Sequence, residues 1–349
     1  MAGGTRGASL AKVVGTGRSC PLSSEVNVPP ATDPIAELSA PLARAVARRT
    51  EGAIEAATAI PGLNFYRRET PTESCACVVE PCVALVVQGA KRMSLGHDHY
   101  HYDPSRFLVT SLDLPATMQV LSASPERPYL GLALRLDLRV MSELLLHARA
   151  GLARDDVATE RGMVVGQTTP ALFDAFTRLL ALLDEPASIP VLAPMIQREI
   201  YWRVLTSEQG ARLRQIVSVG SQGHRVAHAI EWLKTHYAEP LRVEALAERS
   251  QMSLSTFHHH FRQLTAMSPI QFQKWLRLTA ARHSMLAEDL DAATAAYRVG
   301  YESASQFSRE YARLFGAPPR RDVETLRQQA GPPPAVMRRP STSPAPSQP

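Results

Sequence analysis

The chain has 349 residues, enough for about two domains, and its 45% hydrophobic and 20% charged content is that of an ordinary globular protein. Lys and Arg exceed Asp and Glu by 38 to 33, and the net charge of +5 permits a nucleic-acid partner without requiring one. Four cysteines in a chain of this length do not form a disulfide framework, so we expect reduced thiols and a cytoplasmic location. The sequence contains no run of about 18 apolar residues, so we expect no membrane span and no membrane partner.

The start of the chain divides into a polar leader and a helical segment. Residues 1–33 are rich in Gly, Ser, Thr and Pro and show little periodicity, which predicts a disordered leader. Residues 34–59 are predicted to form one or two helices, because Leu38, Leu42 and Val46 repeat at helical spacing. These helices begin a first domain that we place at residues 34–219.

Between residues 63 and 138 the pattern changes to short apolar runs separated by Gly, Pro, Asp and Ser. The predicted strands are CACVVE, VALVVQG, KRMSLGHDHYHYD, RFLVTSLDL, ATMQVLSAS and YLGLALRLDL. Regularly spaced short strands predict a small antiparallel barrel or sandwich. Helical patterns return from Val140 to residue 217 and are expected to pack on the barrel or to contact a second subunit.

After a Gly-containing linker at residues 220–223, residues 224–325 are predicted to be almost entirely helical. The first unit is VEALAERSQMSLSTFHHHFRQLTA, a short helix, a turn and a second helix that Ser253 caps. Phe257, Phe261 and Leu264 form its buried stripe. The exposed face of that second helix, which we predict to contact DNA, comprises Leu254, Ser255, His258, His259 and Arg262.

A second unit, LDAATAAYRVGYESASQFSREYARLFG, repeats this plan. Asp291 is predicted to cap its first helix, Gly300 to form the turn and Ser303 to cap the second helix. The spacing Ser-x3-Phe-x3-aromatic thus occurs in both units. The corresponding DNA-contacting face comprises Ala304, Ser305, Ser308, Arg309 and Arg313.

Both units have the form of a helix-turn-helix, whose second helix enters the major groove. Between them, a segment beginning at Pro269 predicts a helix of about nineteen residues, or roughly 28 Å. We expect Ile270, Trp275, Leu278, Ala281 and Leu286 to face the two units. This length is close to one turn of B-DNA, about 34 Å, so the two units can reach successive groove segments. Residues 326–349, rich in Pro and Ser, are predicted to form a disordered tail.

The run RLTAARHSMLAE together with VGYESASQFSREYARLFGAPPRRD resembles the C-terminal signature of the AraC/XylS family of bacterial transcription regulators. The pieces VVQGAKRM, HYD and LVTSLDLP are similar to the N-terminal domain of a subgroup of that family. The resemblance implies an α+β protein: a cupin-like antiparallel β-barrel with flanking helices, then an all-α domain of two helix-turn-helix units joined by a long helix. It departs from the family at Gln251, where a small turn residue is usual, and at the triplet His258 to His260.

Two clusters leave alternatives open. His97, His99 and His101 alternate, so on a strand they share one face, and cupin metal sites use a similar His-x-His pair. The Glu expected after that pair is missing, which favours a solvated or pocket-lining face and no metal. Cys75, Cys77 and Cys82 do not follow a standard zinc spacing, and buried small side chains are the preferred interpretation.

These observations predict a non-enzymatic, sequence-specific DNA-binding regulator associated with the bacterial nucleoid, with no catalytic residues and no cofactor. Its expected partners are a double-stranded operator, a small-molecule effector of unknown class, a second copy of the chain as an option, and RNA polymerase if the protein activates. The main alternative is a metal-dependent cupin enzyme fused to a DNA-binding module, and a second is a ligand-free architectural protein. Because histidines titrate near pH 6.5, we also expect tighter DNA binding at mildly acid pH.

Overall fold

The computed structural model describes residues 34–148, 161–218 and 220–328. The predicted leader 1–33 lies outside the described residues, and so does the predicted tail from residue 329 onward. The first described element is helix α1, Pro34–Arg49, which contains Pro41. Leu42 and Val46 are fully buried, as the helical spacing predicts.

Within the described residues, ten strands form two antiparallel sheets. The strands are β1 Glu55–Ala57, β2 Leu63–Arg68, β3 Cys75–Val79, β4 Cys82–Gln88, β5 Ala90–Leu95, β6 Asp98–Tyr102, β7 Arg106–Thr110, β8 Leu114–Ser122, β9 Tyr129–Arg135 and β10 Met163–Gln167. One sheet has the order β1-β2-β9-β4-β7-β10, and the other has the order β3-β8-β5-β6. The predicted antiparallel β-domain is therefore confirmed.

The prediction of helix up to residue 59 is wrong. Helix α1 ends at Arg49, and Glu55–Ala57 forms β1, which pairs with β2. The alanine-rich sequence favours helix locally, but pairing of Glu55 with Tyr66 satisfies the backbone of this segment in the sheet. The sequence patterns also missed β10, a five-residue strand that pairs with β7.

Four more helices complete this half of the chain: α2 Leu138–Ala148, α3 Pro170–Ala181, α4 Ile189–Leu205 and α5 Gly210–Val217, with short 3₁₀ turns at Leu182–Asp184 and Pro186–Ser188. Together with α1 they bury one face of the six-stranded sheet. The shared core is aromatic and aliphatic, and its largest fully buried members include Phe65, Phe107, Phe173 and Phe176. Burial of such a face is the main stabilising contribution to a layered domain.

No single helix of the described residues is long and apolar enough to cross a membrane. The segments Pro170–Asp184 and Pro186–Leu205, bent by 117° at the break between them, together have a sufficient length and apolar content. In this structure α3 and α4 bury side chains such as Phe176 and Ile200 in the core, as core helices do.

The remaining helices are α6 Gln222–His236, α7 Val243–Arg249, α8 Leu254–Thr265, α9 Pro269–Ala287, α10 Ala292–Arg298, α11 Ala304–Phe315 and α12 Pro319–Gln328. Helix α6 begins inside the predicted linker 220–223, and α12 runs three residues past the predicted boundary at residue 325. The predicted α+β class, with an all-helical second half and a nineteen-residue helix α9, is confirmed.

The helical half has two cores of different extent. Helices α6 to α9 share one continuous core with the interior of the β-domain, which joins Phe257, Phe261 and Leu264 to Met93 and Leu108. Helices α9 to α12 enclose a separate core that includes Phe307 and Tyr311. The first helix-turn-helix unit thus packs on the barrel core, and the second carries its own.

Candidate DNA-reading surface

Each predicted recognition helix begins at the serine that its spacing indicates. The Ser253 side chain accepts a hydrogen bond from the backbone N–H of Thr256 at 3.2 Å, and the Ser303 side chain accepts one from Gln306 at 3.3 Å. The cap satisfies a backbone donor that has no partner inside the helix. Asp291 caps α10 in the same way, so all three predicted caps are confirmed.

The aromatic stripes of the two units are buried as predicted. Phe257, Phe261, Phe307 and Tyr311 are all fully buried, whereas Leu314 is half-buried. These stripes leave the opposite faces of α8 and α11 toward solvent. On α8 all five predicted contact residues are exposed: Leu254, Ser255, His258, His259 and Arg262. On α11 the exposed members are Ser305, Arg309 and Arg313, while Ala304 and Ser308 are half-buried.

Some charged side chains of the helical half form hydrogen bonds and ion pairs between helices, and others are unpaired. Arg277, in the middle of α9, donates to the backbone carbonyls of Tyr237 at 2.7 Å and Gly300 at 2.8 Å. Arg282 is buried and forms a two-point ion pair with Asp322 at 2.8 and 2.9 Å. These two arginines hold helices together and are not available to phosphates.

Both recognition helices carry exposed cations, Arg262 on α8 and Arg309 and Arg313 on α11. Arg309 and Arg313 form no ion pair with any carboxylate in the described part of the chain, so their guanidinium groups are available to a ligand. Lys274 of α9 lies 2.8 Å from Glu310 of α11, which also accepts from the Tyr301 hydroxyl at 2.8 Å. That contact orients α11 on α9 and leaves its arginines pointing outward.

The connecting helix α9 begins with a capping box between Ser268 and Gln271. Trp275, Leu278 and Ala281 are buried toward the units, as predicted. Ile270 is 49% exposed, so its predicted place between the units is wrong. Pro269, in the first turn of α9, is buried, and the side chain of Ile270 points toward solvent.

The two helix-turn-helix turns differ at one residue. Gln251 has φ of 53°, and Gly300 occupies the corresponding turn of the second unit with φ of 88°. A Cβ atom at Gly300 would lie 2.1 Å from the Ala238 carbonyl oxygen, so this position requires glycine. The turn of the first unit therefore places a residue with a Cβ atom in the left-handed region, whereas the second unit has glycine there.

The histidine triplet divides between surface and interior. His258 and His259 are exposed on α8, while His260 is half-buried beside Gln263. Partial burial lowers the pKa of His260, with a smaller contribution from His259. Burial therefore disfavours the charged form of His260.

The barrel holds the carboxyl end of α8 through contacts that the sequence did not indicate. Arg161 donates to the backbone carbonyls of Arg262 at 3.1 Å and Gln263 at 3.0 Å, and Gly162 donates its N–H to Leu264 at 3.0 Å. Arg161 also pairs with Asp98 of β6. The bonds to Gln263 and Leu264 satisfy carbonyl groups that have no partner inside the helix, whereas the carbonyl of Arg262 also accepts from the N–H of Ala266.

A buried ion pair joins the barrel to α6. The Lys234 ammonium lies 2.9 Å from the carboxylate of Asp113, which is 5% exposed, and 3.0 Å from Glu231. Burial raises the pKa of Asp113 to about 6, an effect that the adjacent Lys234 opposes. Beside this pair is a cleft of about 360 Å³ between barrel, α2 and α6, lined by Arg139, His224 and His228.

The clusters considered as metal sites do not assemble. His97 lies in the turn before β6, so only His99 and His101 alternate on the strand, and both are exposed. Across residues 34–148, 161–218 and 220–328, no three His, Cys, Asp or Glu side chains are placed to hold a metal ion. Burial raises the pKa of Cys77 to about 12 and that of Cys82 to about 11, so both stay protonated thiols at neutral pH.

Comparison with known proteins covers both halves of the chain. Residues 59–212 match the family model described as the N-terminus of AraC-type transcriptional regulators, and residues 246–324 match a model described as a helix-turn-helix domain. These two ranges fall within the domains predicted at residues 34–219 and 224–325.

Two curated relatives are each similar to part of the chain. The HTH-type transcriptional activator RhaS of Escherichia fergusonii is 36% identical over 96 residues, 28% of this chain and 34% of that protein. RhaS of Escherichia coli strain SE11 is 27% identical over 144 residues, 41% of this chain and 51% of that protein. The chain therefore spans between a third and about half the length of these relatives.

A solved structure shares the fold of both halves. ToxT of Vibrio cholerae strain SCE256, determined with a bound unsaturated fatty acid, aligns with a TM-score of 0.51 over 76% of this chain and 95% of that one. The aligned sequences are 10% identical, so this likeness concerns the fold alone.

Proposed function

We propose that this chain, which belongs to the AraC/XylS family of transcription regulators, binds a specific double-stranded operator with α8 and α11 and responds to a small molecule in its barrel. The observation that carries the proposal is the pair of capped twelve-residue helices, each on a buried aromatic stripe, with exposed polar and basic residues on the opposite face. Ser and His side chains can bond to base edges or phosphates, and Arg can pair with guanine or phosphate.

The spacing of the two helices supports a two-site contact. Helix α9 has 19 residues, which corresponds to a rod of about 28 Å. That length suits recognition helices placed in successive major-groove segments, about 34 Å apart on one face of B-DNA. Between residues 224 and 320 there are 12 Lys and Arg against 9 Asp and Glu, so placement of charge matters more than its total.

A route for the signal is present in the packing. The barrel interior and the aromatic stripe of α8 belong to one continuous core, and Arg161 bonds directly to the end of α8. A ligand that shifts barrel side chains would therefore change the placement of the first unit relative to the second. Such a shift requires that the ligand bind two arrangements of the protein with different affinity.

The partners beyond DNA and effector are proposed on separate grounds. A second copy of the chain would dock on α4, whose Val191, Met195 and Trp202 side chains are exposed and apolar. RNA polymerase is the further partner if the protein activates, as the names of its RhaS relatives suggest. The site of action would be the cytoplasm, on the nucleoid. We propose no catalytic activity, because His97, His99 and His101 of the cupin-enzyme alternative are all exposed.

The test is selection of bound genomic fragments by the full chain, followed by footprinting of wild type and variants. We expect protection of roughly two helical turns per protomer, weakened by both Arg309→Ala and His258→Ala. Arg106→Ala, an exposed arginine on β7 of the barrel, is the matched control and should leave affinity unchanged. Affinity should fall steeply with salt, and unchanged binding in both variants would refute the assigned faces.

A further inference from the structure

The barrel contains a cavity of about 110 Å³ between its two sheets. Alternate residues of β2, Asn64, Tyr66 and Arg68, line one side of it. Lys91 and Met93 of β5 line the other, because alternate residues of a strand share a face. The cavity wall belongs to the same core as α8, through Met93, Leu108, Tyr102 and Tyr129.

The cavity carries an excess of positive charge. Lys91, Arg68 and Arg135 line it, and Glu80 is the one carboxylate residue among its described lining residues. Arg68 donates only to backbone carbonyls, those of Ile54 at 2.9 Å and of Arg67 at 2.7 Å. Among the described residues it forms no ion pair, although the Glu55 carboxylate lies close enough to favour its charged form.

Lys91 is the cation best placed to meet a ligand. Its ammonium lies 5.7 Å from the ring centre of Tyr66 and 6.0 Å from that of Tyr129. It forms no hydrogen bond or ion pair with any of the described residues; its aromatic contacts are the interactions that hold it. An ammonium with three donors and no acceptor, next to a cavity, is unusual inside a protein.

Three phenol groups face the same space. Tyr66, Tyr102 and Tyr129 all line the cavity, and the last two are 3% exposed. Their hydroxyls have no hydrogen-bond partner among residues 34–148, 161–218 and 220–328, although buried phenols normally find one. Burial raises the pKa of both Tyr66 and Tyr102, so both keep a proton to donate.

From this arrangement we infer that the barrel cavity binds a small organic monoanion, a carboxylate about the size of a single ring, with Lys91 as its charge partner. The phenol hydroxyls donate to the carboxylate oxygens, and the thioethers of Met93 and Met118 with Leu108 contact the apolar body. The inference rests on the proposed function of the barrel as a sensor and names the chemical class that it senses.

The size of the cavity sets the upper limit for the ligand. An engineered apolar cavity of about 150 Å³ holds one benzene molecule. A space of about 110 Å³ accommodates a single ring if side chains adjust slightly, and flexible methionines line it. A long acyl chain is several times too large, so recognition should favour compact acids.

The experiment measures binding of benzoate and of benzamide, its uncharged counterpart of the same shape, to the full chain by calorimetry. We expect benzoate to bind at least about tenfold more tightly, since one charge-assisted hydrogen bond gives roughly that factor. Lys91→Met should abolish this preference and Lys91→Arg should retain part of it. Arg92→Met, the neighbouring cation on the opposite face of β5, is the matched control and should bind as wild type does.

Tyr102→Phe removes one hydroxyl and leaves the packing almost unchanged, so a weaker benzoate affinity in this variant tests the phenol contacts separately. Equal affinity for benzoate and benzamide, no binding of either, or full preference in Lys91→Met would overturn the inference. Footprinting without ligand, on the same preparations, tests the proposed function independently. Selective benzoate binding without any operator would support the cavity assignment and refute the proposed regulation.

Discussion

The two helix-turn-helix units follow one plan but are held in place differently. The first shares its core with the barrel, and barrel residues Arg161 and Gly162 bond to the end of its recognition helix. The second has a closed core of its own, with the buried pair Arg282 and Asp322 inside it. Under the proposed function, a shift of the barrel would therefore act directly on the recognition helix of the first unit, whereas the second unit is held by its own core.

The backbone shows the same asymmetry. The first unit has Gln251 at φ of 53° in its turn and Ala266 at 60° after α8, where the second has Gly300 at 88° and Gly316 at 81°. Left-handed conformations are costly for residues with a Cβ atom. The unit that the barrel holds is therefore also the unit with the more strained backbone.

Removal of the buried ion pair between Arg282 and Asp322 in the second unit should cause the largest loss of unfolding free energy. Arg282→Met leaves the Asp322 carboxylate buried with only the Tyr311 hydroxyl, which donates at 2.7 Å, so the variant should lose about 3–5 kcal/mol of unfolding free energy. Hydrogen exchange should show the loss in α11 and α12 and spare α8. Arg320→Met, whose side chain is 90% exposed, is the control and should change stability little. Equal loss of protection in both units would contradict the separate cores.

Breaking the barrel contact should affect the first unit instead. Arg161→Met removes both bonds to the end of α8, and because Arg161 is 35% exposed the expected cost is about 1–2 kcal/mol. Hydrogen exchange of the α8 amides should accelerate while that of α11 stays constant. Arg139→Met, 94% exposed on α2, serves as the control. An equal acceleration in α11 would mean that the barrel braces both units.

What the sequence could predict follows from the range of the interactions involved. The serine caps, aromatic stripes and long connecting helix depend on neighbours within one or two turns, and all were predicted correctly. The bonds from Arg161 to α8 join residues about a hundred positions apart and end on backbone carbonyls. Carbonyl acceptors leave no trace in the side-chain pattern, so this contact could not be predicted.

The barrel cavity is a second feature that could not be predicted from the sequence. Alternation marks Lys91 and Met93 as sharing a face of β5, but not whether that face is inside. The strand β1 was read as helix because its alanines favour helix, whereas pairing with β2 decided the outcome. Helix propensity was overridden at β1 because the neighbouring strand β2 supplied its backbone hydrogen bonds.

The ion pair between barrel and α6 gives the first unit a pH dependence. The carboxyl of Asp113 has a usual pKa near 3.8 that burial raises to about 6, so the folded protein binds more protons between these values. Its contribution to stability is therefore complete below pH 4 and falls as the pH rises toward 6. From pH 7 to 5, wild type should gain about 1 kcal/mol relative to Asp113→Asn.

Denaturant unfolding of both proteins across this range measures that difference. The exposed carboxylate of Asp174 supplies the control, since Asp174→Asn should run parallel to wild type at every pH. A constant difference between wild type and Asp113→Asn would show that Lys234 keeps the carboxyl ionised throughout. In that case the link between barrel and first unit would not sense pH.

The smallest change in stability is expected from relieving the left-handed backbone conformation of Gln251, where the second unit has glycine. Gln251→Gly should stabilise the protein by about 0.5–1 kcal/mol, because relief of the left-handed strain exceeds the added freedom of the unfolded chain. The backbone N–H of Gln251 bonds to Glu248 and its carbonyl accepts from Arg225, and both bonds persist in the variant. Gln251→Ala keeps the Cβ atom and should gain nothing.

Gly316→Ala provides the reverse change in the second unit, where nothing lies within 4 Å of the new Cβ atom and only the φ of 81° opposes it. We expect a loss of about the same size as the gain in Gln251→Gly. Opposite signs in denaturant melts would show that the difference between the units lies in backbone strain. If Gln251→Gly does not raise the free energy of unfolding, the backbone of this turn is not strained. The first unit then differs from the second only in its contacts with the barrel, through Arg161 and the shared core.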